Sequence, residues 1–532
     1  MSGATPPPAT RALGGLIERL SAAGRLRGTR VDGRATGRAA IADTLISGVT
    51  HDSRAVRPGS LFVAIPGRHV DGHDFVEAAL AGGAAALIVE RALPGVAAPQ
   101  VIVDSARPAL AAAAAWWFGD PSHELTVVGI TGTDGKTTTA YLAVAGLEGA
   151  GLRTGMIGTI ATRIGGHTEA HEAHATTPEA PELQAALRAM ADAGDDVAII
   201  ETTSHGLALD RVADIVYDVA ILTNLTHEHL ELHGTWEAYR DAKLSLFERL
   251  RMVRSMTKPR PVPATAIVNL DDPSAGVFIG TARDGGARVI TYGTEPSADI
   301  RATSVSEDQG GVRAEVRTPA GVVTLELRLA GRFNVHNALA VVALGDVLGL
   351  DPAAVRSGLG SLDRVPGRME RIEFGQPFGV IIDFAHSPAS LRTVLDLLAP
   401  AAAARGGGVI VVFGSAGERD TAKRAQMGRI AGERTRLVIV TDEDPRGEDR
   451  DSIIESIARG AEESGRRRGQ DLQLIPDRRA AIAAAFDAAR PGDVVLLAGN
   501  GHERSIIGPT GATPWNEHAV AIELLAALGY RG

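Results

Sequence analysis

The sequence contains no cysteine among its 532 residues. Disulfides, thiolate metal sites and cysteine nucleophiles are therefore excluded as sources of stability or chemistry. Aromatic residues make up only 4% of the chain, whereas glycine is plentiful with 62 residues. A hydrophobic content of 45% with 22% charged residues indicates a globular protein. The glycine content favours an α/β fold with many tight turns between strands and helices.

Long apolar segments are also missing. The longest run, ALAAAAAWWF over residues 109–118, is too short to cross a bilayer, and the N-terminal residues lack the basic and apolar regions of a signal peptide. We therefore expect a cytoplasmic protein that does not insert into membranes. The formal net charge of −10 offers no basic surface for nucleic acid. Small molecules are the expected partners, and we expect a monomer.

Lysine is unusually scarce. Lysine and arginine together number 54, but only four of these residues are lysine, namely Lys136, Lys243, Lys258 and Lys423. The remaining lysines are candidates for chemistry that needs a compact ammonium group or a primary amine, neither of which arginine provides. The alternative at each position is a lysine that persists by chance in a structural role.

The length of the chain predicts about three domains, because a domain usually contains roughly 100–200 residues. Apolar runs alternate with helical segments in three blocks, residues 1–122, 123–362 and 363–532. Runs such as VAIIE and GVIVVF are typical of buried parallel strands joined by crossover helices. We therefore predict an α/β protein with a small N-terminal α/β domain, a central parallel sheet like that of P-loop ATPases and a C-terminal Rossmann-like domain.

The segment GITGTDGKTTTA, residues 129–140, joins a predicted strand to a predicted helix, as a phosphate-binding loop does. Lys136 could reach the β- and γ-phosphates of a nucleotide, and the hydroxyl of Thr137 could bind Mg²⁺. The spacing departs from the usual pattern, because Ile130 stands where the first glycine is expected. A structural turn is the alternative. The predicted ATP-binding residues of this loop are Gly132, Thr133, Asp134, Gly135, Lys136, Thr137 and Thr138.

The loop variant TGTDGKTTT and several further motifs resemble those of the Mur ligase family. In chain order these motifs are DSRAVRPGSLFVAIPG, ETTSHGL, NLTHEHLELHG, PGRMERI, DFAHSP, DEDPR and GHE. The resemblance covers nearly the whole chain and is to the members that add the third residue of the cell-wall stem peptide. It implies a ligase that uses ATP to join a diamino acid to UDP-N-acetylmuramoyl-L-alanyl-D-glutamate, in which the first domain binds the uridine nucleotide.

The reaction implied by the resemblance passes through an acyl phosphate, and it needs Mg²⁺ to offset charge. Glu201 and His229 are implied to bind metal together with Thr137, and they are implied catalytic residues alongside the lysine of the phosphate loop. Lys243 matches a lysine that the family carries as an N-carbamate (N6-carboxylysine), whose oxygens would also bind metal; arginine cannot form that species. A zinc protease motif in HEHLELH fails, because Glu231 stands where HExxH requires histidine.

The resemblance also implies contacts with the two nucleotide substrates. The UDP-substrate would contact Ser53, Thr176, Thr177, Ser204 and Arg211, and the arginine could grip a carboxylate with its bidentate fork. The third domain would complete the ATP site with Asn337, Arg368, Asp383 and His386. Two residues depart from the family pattern near these sites: Asp134 replaces an asparagine, and Phe384 replaces a tyrosine.

The amino acid is expected to bind in loops that follow strands of the third domain. The residues implied are Arg419, Glu443, Asp444, Pro445, Arg446, Gly499 and Glu503. In diaminopimelate-adding relatives the arginine of the DNPR motif clamps the distal carboxylate of the amino acid, which favours meso-2,6-diaminopimelate here. The sequence EDPR adds a negative charge that could neutralise Arg446 and suit L-ornithine or L-lysine. Asn500 also replaces a lysine that is usual in the family.

Two other functions compete with this prediction. Folylpolyglutamate synthetase shares the central fold and chemistry but lacks the uridine-binding first domain, so DSRAVRPGSLFVAIPG argues against it. The other is a non-catalytic nucleotide-binding scaffold derived from such a ligase. The presence of Lys136, Glu201 and Lys243 argues against a scaffold.

Overall fold

The computed structural model describes residues 10–67, 70–170, 176–226, 230–255, 257–308 and 311–531. Within these ranges the chain forms two compact units. The first contains the described residues up to 301 together with 338–358, and the second contains residues 302–337 and 359–531. No helix in the described ranges combines the length and apolar composition needed to span a bilayer.

The first unit begins with a six-stranded mixed sheet in the order β3-β2-β8-β7-β6-β5, in which β5 to β8 run parallel to one another. The strands β6 and β7 are fully buried, as their apolar sequences predict. The elements of this part are β1 Arg11–Ala12, α1 Gly14–Ala22, β2 Leu26–Val31, β3 Arg34–Thr36, α2 Ala39–Ala42, β4 Leu45–Ile46, β5 Gly48–Thr50, β6 Ser60–Val63, α3 Val76–Ala81, β7 Ala86–Val89, β8 Gln100–Val103 and α4 Ala106–Phe118.

The central part of the first unit is a larger sheet. Its strands follow the order β12-β11-β10-β13-β9-β14-β15-β16. The six strands β10, β13, β9, β14, β15 and β16 run parallel to one another. The elements are β9 Thr126–Thr131, α5 Lys136–Gly149, β10 Thr154–Ile157, β11 Ala161–Ile164, β12 His167–Ala170, α6 Ala180–Ala193, β13 Val197–Glu201, α7 Ser204–Ala208, β14 Val219–Leu222, α8 Leu230–His233, α9 Trp236–Glu248, β15 Thr265–Asn269, α10 Ala275–Asp284 and β16 Arg288–Gly293.

The chain leaves this sheet through β17 Ile300–Asp308, whose first two residues pair with β16. β18 Gly311–Thr318 and β19 Gly321–Leu327 then form an antiparallel hairpin. The helices α11 Phe333–Val347 and α12 Pro352–Ser361 follow. Short 3-10 turns elsewhere in the chain lie at Ser53–Ala55, Gly72–Phe75, Pro121–His123 and Arg249–Ser255.

The rest of the second unit is built on a six-stranded sheet in the order β20-β21-β25-β22-β23-β24. All pairs are parallel except β20 with β21, which fits the predicted Rossmann-like domain. Its elements are β20 Glu370–Ile372, β21 Gly379–Asp383, α13 Pro388–Ala403, β22 Val409–Phe413, α14 Ala422–Arg434, β23 Leu437–Val440, α15 Arg450–Glu463, β24 Leu472–Leu474, α16 Arg478–Ala488, β25 Val494–Ala498, β26 Ser505–Gly508, β27 Gly511–Pro514 and α17 Glu517–Ala527.

Most strands that lead into the predicted site residues are buried along their whole length. β9, β13 and β14 in the central sheet and β22, β23 and β25 in the second unit contain no exposed residue. Continuous apolar runs of this kind form because helices cover both faces of a parallel sheet. Ligands of such sheets bind beyond the carboxyl ends of the strands, and there the chain places its polar loops.

Candidate active site

The predicted phosphate loop occupies residues 132–135, between β9 and α5. Gly132 has φ +149°, and a Cβ atom at this position would lie 1.9 Å from Oγ1 of Thr223. Gly135 caps the helix with φ +83°. Only glycine satisfies both conditions without strain, and the loop leads directly into the N-terminus of a helix, where amide groups attract anions.

Residues that follow β14 support the loop from one side. The hydroxyl of Thr223 donates to the carbonyl of Asp134 at 2.6 Å. Asn224 accepts from the amide of Asp134 through its side chain at 3.0 Å and from the amide of Thr133 through its carbonyl at 2.7 Å. Asp134 itself is exposed. Solvent around this exposed side chain screens its negative charge, which makes the charge compatible with a nearby triphosphate.

Two of the four lysines meet at one carbonyl oxygen of this loop. Nζ of Lys136 donates to the carbonyls of Gly132 at 2.9 Å and Thr133 at 2.7 Å. Nζ of Lys243 donates to the same Gly132 carbonyl at 2.7 Å. Lys243 lies on α9 and is only 2% exposed. Tyr239, one turn earlier on that helix, places its ring 4.6 Å from Nζ of Lys243 and its hydroxyl 2.9 Å from Oγ1 of Thr133.

Glu201 ends β13, the strand that pairs with β9, and its side chain is fully buried. One carboxylate oxygen accepts from the hydroxyls of Thr137 and Thr159, each at 2.8 Å, and the other accepts from the amide of Thr159 at 2.9 Å. Burial and the negative charge of Glu201 raise the pKa of Tyr141 to about 12. The first unit thus brings Glu201 and the phosphate loop together, as the sequence predicted.

The residues present fit a Mg²⁺ ion in part. The adjacent oxygens of Thr137 and Glu201 are the hard ligands that Mg²⁺ prefers. In the described ranges, no three histidine, aspartate or glutamate side chains are grouped so that they could hold a metal by themselves. His229, the further predicted ligand, lies outside the described residues. A complete site would therefore need oxygens from another source, such as the predicted carbamate on Lys243.

The predicted UDP-substrate residues lie partly around the same strand end. Thr177 donates its hydroxyl to the carbonyl of Glu201 at 2.8 Å and accepts from the amide of Thr203 at 3.0 Å. Arg211 donates to the carbonyl of Thr177 at 2.8 Å and forms an ion pair with Glu179, also at 2.8 Å. The guanidinium of Arg211 is therefore already paired within the protein.

The other three residues predicted to contact the UDP-substrate lie in different places. The hydroxyl oxygens of Thr176 and Thr159 lie 3.1 Å apart, which places Thr176 beside the group that binds Glu201. Ser204 begins α7 and is buried, and its hydroxyl has no hydrogen-bond partner among the described residues. Ser53 lies in the 3-10 turn between β5 and β6 of the smaller sheet, so it belongs to a different part of the unit.

In the second unit, the residues predicted to complete the ATP site gather after β21. The guanidinium carbon of Arg368 stands 4.6 Å from the ring centre of Phe384, which in turn lies 4.6 Å from the His386 ring. Asp383 ends β21 and accepts from the amide of Ala385 at 2.8 Å. Asn337 is separate from them in the chain, on α11, where it donates to a neighbouring side chain of the same helix. An aromatic and cationic surface of this kind suits stacking on a base.

Two of the three loops predicted to bind the amino acid are joined by hydrogen bonds. The loop after β22 joins the loop after β23 through the amide of Gly417, which donates to the carbonyl of Asp444 at 2.8 Å. Arg424 is buried and donates to both oxygens of Glu448, at 2.6 and 2.8 Å. Glu448 also accepts from the amide of Glu418 at 2.9 Å. Arg419, in the loop after β22, is exposed.

Glu443 occupies the centre of these loops. It is only 6% exposed, and burial raises the pKa of its carboxyl to about 7. A Cβ atom at Gly499 would lie 2.7 Å from Oε2 of Glu443, so the loop after β25 passes directly over the carboxylate. Within the described residues, Oε2 of Glu443, both amide atoms of Asn500 and the hydroxyl of Ser415 are buried without a hydrogen-bond partner. Buried polar atoms without partners are uncommon, and a group of them in one place leaves donors and acceptors for a ligand.

Arg446 has a backbone φ of +55° and donates its amide to the carbonyl of Ile507 at 2.8 Å. Its nearest carboxylate is that of Asp444, where Nη2 and Oδ2 are 3.9 Å apart. The other oxygen of Asp444 accepts from the amide of Ile507 at 2.8 Å. Nε of Arg446 has no partner among the described residues. Asp444 therefore compensates the charge of Arg446 without occupying its hydrogen-bond donors.

Several residues of the site were not predicted from the sequence. Thr159 binds Glu201 and Asn224 holds the loop, yet each is a common polar residue in a turn. Asn224 is the first residue of the motif NLTHEHLELHG and lies two residues after the end of an apolar strand, but neither signal indicated that it holds the phosphate loop. Arg424 and Arg478 lie within arginine-rich helices, where nothing in the sequence separates them from surface arginines.

Known proteins match the chain in the order of the predicted domains. Three protein-family models match successive segments of the chain. "Mur ligase family, catalytic domain" matches residues 45–117, "Mur ligase middle domain" matches residues 130–345, and "Mur ligase, glutamate ligase domain" matches residues 367–501. The UDP-N-acetylmuramyl-tripeptide synthetase of Roseiflexus sp. (strain RS-1) is 48% identical over 494 residues, covering 92% of this chain and 96% of that protein.

Two further proteins carry the name of one amino acid. The UDP-N-acetylmuramoyl-L-alanyl-D-glutamate--2,6-diaminopimelate ligase of Geobacter metallireducens is 41% identical over 472 residues, covering 86% of this chain and 90% of that protein. A solved structure of a ligase with the same name is 29% identical, with a TM-score of 0.62 over 92% of this chain and 96% of that chain. Because the relatives match almost from end to end, this chain belongs to the Mur ligase family, a family of ATP-dependent amino acid ligases.

Proposed function

We propose that this ligase adds meso-2,6-diaminopimelate to UDP-N-acetylmuramoyl-L-alanyl-D-glutamate and releases ADP and phosphate. The observation that carries the choice of amino acid is the state of Arg446. Its nearest carboxylate, that of Asp444, is 3.9 Å away, which is too long for a hydrogen bond. Its fork can therefore accept a carboxylate from the substrate in a bidentate manner. L-Lysine and L-ornithine have no distal carboxylate.

The neighbouring groups suit the amino group at the same end of the amino acid. Glu443 is buried, and burial raises its pKa although the charges of Lys423 and Arg478 act in the opposite direction, so a further cation at its carboxyl would stabilise the charged form. Asn500 offers a carbonyl oxygen without a partner. An ammonium group placed here would satisfy both side chains. A distal centre that carries an ammonium and a carboxylate matches this pair of neighbours better than an ammonium alone.

The phosphate loop supports a role for Lys243 as a carbamate. Lys243 is almost fully buried, and its Nζ shares the Gly132 carbonyl with Nζ of Lys136, so a primary amine stands directly beside the phosphate loop. A neutral primary amine is the form that reacts with carbon dioxide, and arginine cannot form the carbamate. A carbamate at Lys243 would supply oxygens that, with Thr137 and Glu201, would hold Mg²⁺. The ion would then offset the negative charge of the triphosphate.

The residues then have distinct tasks in the reaction. A carboxylate oxygen of the UDP-substrate attacks the γ-phosphorus, the bond to ADP breaks, and an acyl phosphate forms. The amine of the amino acid attacks the acyl carbon, the bond to phosphate breaks, and the amine loses a proton as the amide forms. Lys136 and the amides of residues 132–136 would orient the phosphates and compensate their charge. Arg446 and Glu443 would orient the amino acid.

The test is ADP formation with meso-diaminopimelate, L-lysine and L-ornithine in the presence of the UDP-dipeptide. We expect wild-type protein to prefer diaminopimelate. A charge-assisted bidentate contact contributes roughly 1.5–3 kcal/mol, so Arg446→Ala should lower kcat/KM for diaminopimelate by about 10- to 150-fold. Arg479→Ala, which removes an exposed arginine paired with Glu523, is the matched control and should leave all rates unchanged.

Two results would contradict the proposal. An equal loss on all three amino acids would mean that Arg446 only organises its own loop. Full activity of Lys243→Arg would exclude the carbamate, since arginine retains the charge but cannot be carboxylated in this way. We expect Lys243→Arg to lower ligation by ~100-fold or more while its melting temperature stays close to that of the wild type.

A further inference from the structure

Arg478 is a buried arginine that the proposed reaction does not use. It is the first residue of α16, and it forms a bidentate ion pair with Glu517, with contacts of 2.6 Å from Nη2 and 2.9 Å from Nε. Glu517 is also buried and accepts from the indole of Trp515 at 2.6 Å. Burial alone would lower the pKa of Arg478, but the carboxylate of Glu517 raises it, so the guanidinium remains charged.

The remaining donors of Arg478 reach two loops of the amino acid site. Nη1 donates to the carbonyl of Asp442 at 3.1 Å, and Nη2 donates to the carbonyl of Ala498 at 3.0 Å. Asp442 directly precedes Glu443, and Ala498 is the last residue of β25, directly before Gly499. One guanidinium therefore holds the first turn of the loop after β23 and the first turn of the loop after β25.

The sheet itself does not fix the distance between these two loops. β23 and β25 are not neighbours, because β22 lies between them in the strand order β25-β22-β23. Strands separated in this way are roughly 9–10 Å apart and share no backbone hydrogen bonds. At the ends of the two strands the side chain of Arg478 bonds to both carbonyls and links the first residues of the loops. The other bonds between these segments lie further along the chain, where Ile507 of β26 bonds to Asp444 and Arg446. Only the planar fork of arginine can reach both carbonyls while it also holds Glu517.

We infer that Arg478 is a positioning residue that sets the spacing of Glu443 and Gly499 and thereby the fit of the incoming amino acid. The inference rests on the proposed function, because that function assigns the two loops to the amino acid. The ion pair with Glu517 serves to orient the fork. A buried ion pair by itself adds little net stability compared with apolar residues.

The same two strands carry a matched ion pair at their other ends. Arg436 directly precedes β23 and Asp493 directly precedes β25, and they are joined at 2.6 Å. Arg436 also donates to the carbonyl of Ala488 at 2.9 Å. This pair links β23 to β25 just as Arg478 does, but at the amino edge of the sheet, away from the loops that carry Glu443 and Gly499. It is therefore the control for any effect that comes from strand packing alone.

The experiment compares Arg478→Met/Glu517→Gln with Arg436→Met/Asp493→Asn in the full-length protein. Each double variant removes both charges, so neither leaves a buried charge unpaired. We expect the first to raise KM for the amino acid roughly 10- to 100-fold, because a displaced loop misplaces the substrate. Its KM values for ATP and for the UDP-dipeptide should stay within about twofold of wild type. The second should leave all three KM values unchanged.

A single variant covers the case in which the first double variant does not fold. Arg478→Lys keeps the charge and can still pair with Glu517, but one ammonium cannot reach Glu517 and both carbonyls. It should raise KM for the amino acid selectively. A wild-type KM for the amino acid, or an equal rise for all three substrates, would overturn the inference. Failure of the proposed function is a different result, since wild-type protein would then form no ADP in response to any amino acid tested.

Discussion

The individual lysines show what the shortage of that residue did and did not predict. Lys136 and Lys243 lie at the phosphate loop, and Lys423 donates to the carbonyl of His386 at 2.8 Å. Lys258, in contrast, forms a buried ion pair with Asp218. The scarcity of lysine thus pointed to positions where an ammonium group makes specific contacts. It did not distinguish a reactive lysine from a structural one. That difference depends on the neighbours that the fold supplies.

Glu443 gives a prediction for the effect of pH on stability. Its pKa is about 7 in the folded protein, against 4.5 for an ordinary glutamate. Between these values the folded chain holds a proton that the unfolded chain has lost, so the free energy of unfolding falls as pH rises through this range. Glu443→Gln removes the effect. Without amino acid present, we expect it to be close to wild type at about pH 4.5 and more stable by roughly 3 kcal/mol at about pH 8.

Urea unfolding of both proteins at the two pH values measures this difference. Asp449→Asn is a suitable control, because Asp449 is an exposed carboxylate in the same acidic loop whose pKa is lowered by Ser452 instead of raised by burial. The Asp449→Asn variant should lose stability relative to the wild type as pH rises, which is the opposite of the change expected for Glu443→Gln. If Glu443→Gln and the wild type differ in the free energy of unfolding by the same amount at both pH values, the carboxyl of Glu443 does not have a raised pKa in the folded protein.

Among the helices, α14 and α15 pack unusually closely. A Cβ atom at Gly460 would lie 1.8 Å from the carbonyl oxygen of Ala425, and one at Gly428 would lie 2.0 Å from that of Ile457. The two glycines therefore let each backbone touch the other. α15 follows the loop that contains Glu443 and Arg446, so this contact also anchors that loop.

Gly460→Ala should destabilise the protein although alanine is the better helix former. The added methyl group cannot be accommodated without separating the helices, which costs about 1–3 kcal/mol. Gly280→Ala is the control, because Gly280 lies in α10 with nothing within 4 Å of an added Cβ atom. Relief of the glycine penalty there should stabilise the protein by up to ~1 kcal/mol. Thermal unfolding of both variants measures the contrast, and equal shifts would contradict the packing argument.

The sequence predicted the strands of the parallel sheets well and the β17 to β19 segment not at all. β13 and β22 are continuous apolar runs because both faces are covered. In β18, exposed residues such as Arg313 and Glu315 alternate with buried Ala314 and Val316. Such an alternation places few apolar residues in a row, and it is recognised only when a period of two is sought. The fold class was predictable because the parallel strands are continuous apolar runs, and the hairpin was not predicted because its strands lack such runs.

Across the chain, the order of domains could be predicted, but the grouping of contacts could not. Family models match three successive segments, as the sequence suggested. The described residues nevertheless form two compact units, and the smaller N-terminal sheet and the central sheet both lie in the first unit. Contacts such as the ion pairs of Asp214 with Arg19 and Arg25 join these sheets. They connect residues about 190 positions apart, which no local pattern reveals.

The two units predict that unfolding of one can occur without the other. Lys258 and Asp218 are buried in the first unit, where Nζ of Lys258 also donates to the carbonyls of Leu125 and Val216, each at 3.1 Å. Burial lowers the pKa of Lys258 and raises that of Asp218, so each charge depends on the other. The pair joins the start of β9 to the start of β14, since Asp218 also accepts from the amide of Val127 at 2.7 Å.

Lys258→Met leaves the carboxylate of Asp218 buried without its partner, at a cost of about 3–5 kcal/mol. Hydrogen exchange of the amides in β9 and β14 should then accelerate by roughly 10²- to 10⁴-fold, because exchange there follows the free energy of opening. The amides of β23 and β25, in the second unit, should exchange at the wild-type rate. Lys258→Met/Asp218→Asn should restore most of the protection, because no charge remains buried. Equal acceleration in all four strands would instead mean that the chain unfolds as a single cooperative unit.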